Sequence, residues 1–195
     1  MISGKFERGC AVTLRCELGD DVGGSSDEGA FVAARTPQKA STSLVLGFGN
    51  VLLSDDGAGV QLVERLRADL MPCGAQFIDA GTLSFSLLSY IEMTDSMLVI
   101  DAADIDGAPG AISLVEGAAM DAFLKSTRRR TVHEVGLIDL LDMARLQGCL
   151  PPRRALLCIQ PGRIDWSESL SPPVAEALPE AARQAKALLC RWQVV

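Results

Sequence analysis

The sequence predicts an α/β fold, a three-layer α/β/α sandwich built on a five-stranded, mostly parallel mixed sheet. Three observations predict it. From residue 43 onwards, short apolar segments alternate with longer segments in which apolar residues recur at the helical period. Turn residues separate these segments. One connection, 106–110, is too short for a parallel crossover, so we expect the strand after it to run antiparallel.

The predicted strands are short apolar runs bounded by polar or turn residues: 43–48, 75–78, 97–100, 111–115 and 155–159. The first strand is followed by a short loop that carries Asp55 and Asp56, the second ends at Asp79 and the third ends at Asp101. Right-handed crossovers bring the carboxyl ends of parallel strands to one edge of the sheet, and α/β proteins bind their ligands beyond that edge. These loops are therefore the expected place for chemistry.

The predicted helices are 57–70, 84–92, 118–124, 131–147 and 173–192. Either Asp55 or Asp56 is expected to cap the first helix, because a carboxylate suits the positive end of the helix dipole. The fourth helix begins at a capping-box pattern in which Glu134 stands three residues after Thr131. Pro179 lies inside the fifth helix and should kink or restart it.

The chain of 195 residues is long enough for one domain with a sizeable core, which we expect to span 41–195. Residues 1–40 differ in composition, and 19–29 is rich in glycine, serine and acidic residues. Such a segment cannot bury enough apolar surface to offset the entropy of ordering. We therefore predict that 1–40 is a disordered N-terminal extension.

Composition and motifs exclude several classes of function. The net charge of −7 argues against a nucleic-acid or anionic-membrane surface, and no run of 18 apolar residues predicts a membrane span. The six cysteines are scattered without a Cys-x-x-Cys pair, which favours reduced thiols and a cytoplasmic protein. A dinucleotide site fails because Leu52 stands where the third glycine belongs, and the P-loop lysine and the nucleophile elbow are missing from the sequence.

Three side chains could meet at the ligand-binding edge: Asp56, Asp79 and His133, the single histidine of the sequence. At the second position of a helix the dipole disfavours the imidazolium, and a neutral ring can bind a metal. Two carboxylates and an imidazole suit nickel, zinc, manganese, cobalt or iron. The alternative is structural: Asp56 caps a helix, Asp79 satisfies backbone amides in a turn, and His133 is an ordinary first-turn residue. Asp55 competes with Asp56 for either role.

Four motifs occur in order along the chain: 47–59 reads GFGNVLLSDDGAG, 78–82 reads IDAGT, 100–102 reads IDA and 133–137 reads HEVGL. A later segment, 159–161, reads IQP. In order and spacing these motifs resemble the maturation endopeptidases of [NiFe] hydrogenases, over roughly 43–192. The resemblance implies a twisted mixed sheet between helices, in agreement with the predicted strands. The first motif of that family often ends Asp-Glu-Gly, whereas this chain has Asp55-Asp56-Gly57, with a shorter second carboxylate.

The resemblance also implies a function and a set of ligands. Asp56, Asp79 and His133 would ligate a metal, most simply the nickel of the substrate, although another divalent metal would also suit them. The substrate would be the precursor of the hydrogenase large subunit, from which a C-terminal peptide is removed after nickel insertion. Asp56 and Asp79 would be catalytic, in an aspartic-type or a metal-dependent endopeptidase. Independently of the resemblance, we expect a monomer. The alternatives are a non-catalytic maturation factor that binds nickel or the precursor, and an unrelated α/β hydrolase.

Overall fold

The computed structural model describes residues 43–69, 74–81, 87–127 and 132–193, without the side chains of 126, 127 and 132–135. Several predictions lie outside these residues and stay predictions. They are the disordered extension 1–40, the cap at Thr131 and the first residues of the second helix.

Within the described residues the strands form one five-stranded sheet. Its members are β1 (Ser43–Phe48), β2 (Gln76–Gly81), β3 (Ser96–Ala102), β4 (Ile112–Glu116) and β5 (Arg153–Ile159). The order is β2-β1-β3-β5-β4, and all neighbours are parallel except β4 and β5. The predicted mixed sheet is confirmed, and β4 is antiparallel because its short connection to β3 allows no crossover.

Helices cover both faces of the sheet. They are α1 (Ala58–Ala68), α2 (Leu88–Ile91), α3 (Ala118–Thr127), α4 (Val132–Leu146) and α5 (Pro172–Gln193). Alternate residues of β1 point to opposite faces: Val45 packs with α1 and α5, whereas Leu44 and Leu46 pack with α2, α3 and α4. The two resulting cores give the predicted α/β/α layers.

Several elements differ from the prediction in their bounds or their continuity. β2 and β3 run further than their apolar segments, because Asp79 pairs with Gly47 and Asp101 pairs with Cys158 in the ladders. The parallel neighbour supplies the hydrogen bonds there, so a polar side chain does not end the strand. α5 does not restart at Pro179, since apolar side chains before and after the proline pack into the same core.

None of the helices within the described residues has the length and hydrophobicity needed to cross a bilayer. Of the six cysteines the structure describes three, Cys149, Cys158 and Cys190, and no disulfide joins any two of these three.

Candidate active site at the carboxyl edge of the sheet

The loop between β1 and α1 holds two of the predicted site residues. Its path depends on glycine: Gly49 has φ +123°, and a Cβ there would lie 1.8 Å from the Asp56 carbonyl oxygen. A Cβ on Gly59 would lie 2.4 Å from the carbonyl oxygens of both Phe48 and Ile100. The glycines therefore let the loop fold back tightly and let α1 begin directly above the sheet.

Asp56 lies in a 3₁₀ turn (Ser54–Gly57) that leads into α1, and it is 7% exposed. Its Oδ2 accepts a hydrogen bond from the backbone N–H of Asn50 at 2.7 Å. The prediction that Asp55 or Asp56 caps α1 is wrong, because the N-cap residue is Gly57 and no side chain caps it. Asp56 instead ties the two ends of its own loop together, which fixes its carboxylate at the edge of the sheet.

Asp55 is fully buried and faces the loop between β5 and α5. Its Oδ2 accepts hydrogen bonds from the backbone N–H groups of Gly162 and Arg163 at 2.8 Å each. Ser171 donates two more, from its N–H to Oδ1 at 2.6 Å and from its hydroxyl to Oδ2 at 2.7 Å. Burial acts to raise the pKa of Asp55, but the bonds from Ser171, Gly162 and Arg163 outweigh it and lower the pKa below its usual value.

These bonds separate the roles of the two adjacent aspartates. Asp55 is occupied as an anchor between two loops, whereas Asp56 lies at the start of α1 with its carboxylate held by its own loop. Of the two, Asp56 is therefore the better candidate for a metal ligand, as the motif position suggested.

Ser54 strengthens the same connection between the two loops. It has φ +53°, and its hydroxyl donates to the Ser169 carbonyl at 2.9 Å while its N–H donates to the Ser167 carbonyl at 2.6 Å. Leu53 and Ser167 form a parallel β-bridge. Sequence reasoning did not identify this contact, because the partners are more than 100 residues apart and no local pattern links them.

Asp79 lies near the end of β2 and is exposed. Its Oδ1 accepts a hydrogen bond from the Gly81 N–H at 2.8 Å, and the Gly81 carbonyl accepts one from the Gly49 N–H at 3.0 Å. The predicted turn-stabilising role of Asp79 is thus real, and it links Asp79 to the first loop.

Asp79 also lines a cleft of about 240 Å³ together with residues of the first loop and α1: Gly49, Asn50, Val51, Val60 and Gly81. The cleft therefore opens where the first loop, the start of α1 and the end of β2 converge. This is the edge at which ligands bind in open α/β sheets.

His133 is the second residue of α4, as predicted, and its side chain lies outside the described residues. α4 has 15 residues and leads into β5, which starts at the amino edge of the sheet. A helix of that length extends about 22 Å and the seven-residue strand β5 about 23 Å. The first turn of α4 therefore lies towards the carboxyl edge, the edge at which Asp56 and Asp79 also lie.

The described side chains alone contain no group of three His, Cys, Asp or Glu residues that could hold a metal ion. Asp56 and Asp79 supply carboxylate oxygens at one edge, and an imidazole from α4 would complete a three-ligand set. Such a set suits a divalent transition metal and leaves coordination positions open for a substrate or water. The convergence of all three residues remains a prediction.

Comparisons with known proteins agree on one family. Residues 60–187 match the family model for hydrogenase maturation proteases. The chain is 34% identical over 158 residues to the hydrogenase expression/formation protein HupD of Rhodobacter capsulatus, covering 80% of this chain and 75% of HupD. It is 30% identical over 148 residues to the hydrogenase 2 maturation protease of Escherichia coli K12, covering 75% of this chain and 89% of that protein.

Solved structures match as well. The hydrogenase maturating endopeptidase HybD from E. coli superposes with a TM-score of 0.71 at 29% identity, covering 77% of this chain and 93% of HybD. The [NiFe] hydrogenase maturation protease HybD from Thermococcus kodakarensis gives a TM-score of 0.66 at 25% identity, covering 76% of this chain and 99% of that protein.

Proposed function

Because this chain belongs to the hydrogenase maturation protease family, we propose that it is an endopeptidase acting on the nickel-loaded precursor of a [NiFe] hydrogenase large subunit. It removes the C-terminal peptide of that precursor during hydrogenase maturation.

One observation carries the proposal beyond family membership. The exposed carboxylate of Asp79 lines an open cleft beside the loop that holds Asp56. A purely structural aspartate pair would not need such a cleft. The cleft gives a polypeptide chain and a water molecule access to the Asp79 carboxylate, beside the loop that holds Asp56.

In the proposed mechanism, Asp56, Asp79 and His133 bind the nickel ion that the precursor already carries. His133 binds through its neutral imidazole, because only that form has a nitrogen lone pair free for a metal. Holding the ion places the nearby scissile peptide bond against the cleft. Positioning of this kind contributes up to about 7–11 kcal/mol to catalysis.

The hydrolytic step requires an activated water. The water oxygen bonds to the carbonyl carbon of the scissile peptide, the C–N bond breaks, and a water proton passes to the departing amine through a general base. We assign the general base to Asp79, because it is exposed to solvent in the cleft and one of its carboxylate oxygens can take the proton while the other binds the ion. Asp56 is tied to the Asn50 N–H and serves as the fixed ligand.

The test uses two forms of the precursor, one loaded with nickel and one free of it. The purified protein is incubated with each, and the mass of the precursor is measured. The proposal expects loss of a C-terminal peptide from the loaded form alone, and expects His133→Ala to abolish it. Cleavage of neither form would overturn the protease assignment, and binding without cleavage would support a non-catalytic maturation factor. Equal cleavage of both forms would overturn the role of nickel.

A further inference from the structure

The two joined loops carry a group of exposed apolar side chains beside the cleft. Val51 and Leu52 of the β1–α1 loop are 39% and 44% exposed. Ile164 and Trp166 of the β5–α5 loop are 58% and 82% exposed. We call these four residues the rim patch. Large apolar side chains grouped at such exposure mark interaction sites, and tryptophan is enriched among the residues that dominate binding.

The backbone beneath the rim patch is fixed. The Ser167 N–H donates to the Leu52 carbonyl at 3.0 Å, one residue from Trp166. Leu53 bridges to Ser167, and the buried Asp55 binds the N–H groups of Gly162 and Arg163. The patch is therefore held in place before any partner arrives, and a partner binding it would not have to order the loops.

The rim patch is continuous with the proposed active site, because Val51 belongs to the patch and also lines the cleft with Asp79. Its charges are balanced, since Arg163 Nε lies 3.3 Å from Asp165 Oδ1. The rim patch therefore favours a partner with an apolar surface over a strongly charged one. On the basis of the proposed function, we propose that the rim patch is the docking surface for an apolar polypeptide segment of the precursor that flanks the scissile bond.

A second copy of this chain fits the patch less well. Stable dimers bury about 1,200–2,000 Å² in total, and the four side chains of the patch are few for such an interface. A copy seated on Val51 would also cover the mouth of the cleft and exclude the substrate. A substrate segment needs only a small anchor next to the reacting bond.

The proposal is tested by comparing the kinetics with which the Trp166→Ala variant and the wild type cleave the nickel-loaded precursor. We expect KM to rise at least about 10-fold, as for loss of a central aromatic anchor, with kcat within about 3-fold. Trp166→Phe keeps an aromatic ring and should recover most of the wild-type KM. The matched control is Leu146→Ala, because Leu146 is 88% exposed at the far end of α4 and should change neither constant.

A binding measurement provides an independent readout. The chain has two tryptophans, of which Trp192 is 7% exposed. In an Asp79→Asn background, the proposal expects precursor binding to shift the fluorescence of Trp166 to the blue, and expects Trp166→Phe to lose this shift.

The outcomes separate this proposal from the proposed function. If the wild type cleaves the precursor and Trp166→Ala leaves KM unchanged, the docking surface is overturned while the protease function stands. If sedimentation shows a wild-type dimer that Trp166→Ala converts to a monomer, the patch joins two copies and the proposal is also overturned. If the wild type cleaves nothing, the proposed function is overturned, and the fluorescence measurement then tests the docking surface on its own.

Discussion

Asp55 and Ser171 are joined by two hydrogen bonds, although 116 residues separate them in the sequence. The Ser171 N–H lies 2.6 Å from Oδ1 of Asp55, and the Ser171 hydroxyl lies 2.7 Å from Oδ2. Ser171 immediately precedes α5, while Asp55 immediately precedes Asp56. The pair therefore fixes the start of the last helix to the loop that presents a proposed metal ligand.

Removing this anchor should destabilise the fold. Asp55→Ala leaves the buried donors of Ser171, Gly162 and Arg163 without their acceptor. We expect the free energy of unfolding to fall by about 3 kcal/mol or more, because hydrogen bonds to a charged group contribute about 1.5–3 kcal/mol each and unsatisfied buried donors add a penalty. Urea denaturation measures the change. Asp165→Ala, which removes one partner of an exposed ion pair, is the control, and its free energy of unfolding should stay within about 0.5 kcal/mol of the wild type. A loss below 1 kcal/mol for Asp55→Ala would contradict the anchor role.

The same carboxylate should make stability depend on pH. Hydrogen bonds lower the pKa of Asp55 in the folded protein despite its burial, whereas the unfolded value is about 3.9. A lowered folded pKa stabilises the fold above the unfolded value, and this contribution disappears as the pH falls through the folded pKa. The stability difference between the wild type and Asp55→Asn should therefore be constant from pH 7 to 5 and shrink below about pH 4. Arg154 lowers the pKa of Asp121, and Arg183 lowers the pKa of Glu180. Both carboxylates are present in the two proteins, so their contributions to the pH dependence cancel in the comparison. A stability difference that stays constant down to pH 3 would contradict a lowered pKa of Asp55 in the folded protein.

Much of the fold followed from local patterns. The apolar runs located β1 within its observed bounds, and the short turn before β4 predicted its direction. The strand ends were harder to predict, because hydrogen bonds from a neighbouring strand carry the ladder through Asp79 and Asp101. The helix cap was also predicted incorrectly, since Asp55 and Asp56 bind loop amides in place of the free N–H groups of α1.

The site was predictable only in part, for a similar reason. Its candidate residues follow strands or begin a helix, and topology alone brings such positions to one edge. The function of Asp55 depends on partners 107–116 residues away, which no periodicity or spacing indicates. The exposed side chain of Trp166 was missed because exposure of a loop aromatic is set by how the two loops join.

Asp79 allows chemistry to be separated from structure. Asp79→Asn keeps an oxygen that can accept the Gly81 N–H bond, so the melting temperature should stay within about 2 °C of the wild type. Cleavage should fall at least about 100-fold through loss of the general base. The matched control is Asp104→Asn, because Asp104 accepts the same kind of bond from the N–H two residues ahead, at 3.1 Å from Asp106. Equal activity of the two variants would remove Asp79 from the reaction.

Gly59 tests whether close packing places the first loop. Alanine favours a helix over glycine by about 1 kcal/mol, so helix propensity alone predicts that Gly59→Ala stabilises α1. The structure predicts the opposite, because the new Cβ would lie 2.4 Å from the carbonyl oxygens of both Phe48 and Ile100. Backbone atoms of two strands cannot rotate away, so α1 must lift from the sheet at a cost of about 3 kcal/mol, the upper part of the range for overpacking.

Thermal and urea unfolding measure this cost, and cleavage should fall with it, because lifting α1 displaces Asp56. Gly117→Ala is the control, because Gly117 has φ +55° but open space where a Cβ would be added. Its free energy of unfolding should fall by only about 1–2 kcal/mol, and its activity should be unchanged. If Gly59→Ala were as stable and as active as the wild type, close approach of α1 to the sheet would not be what positions the Asp56 carboxylate.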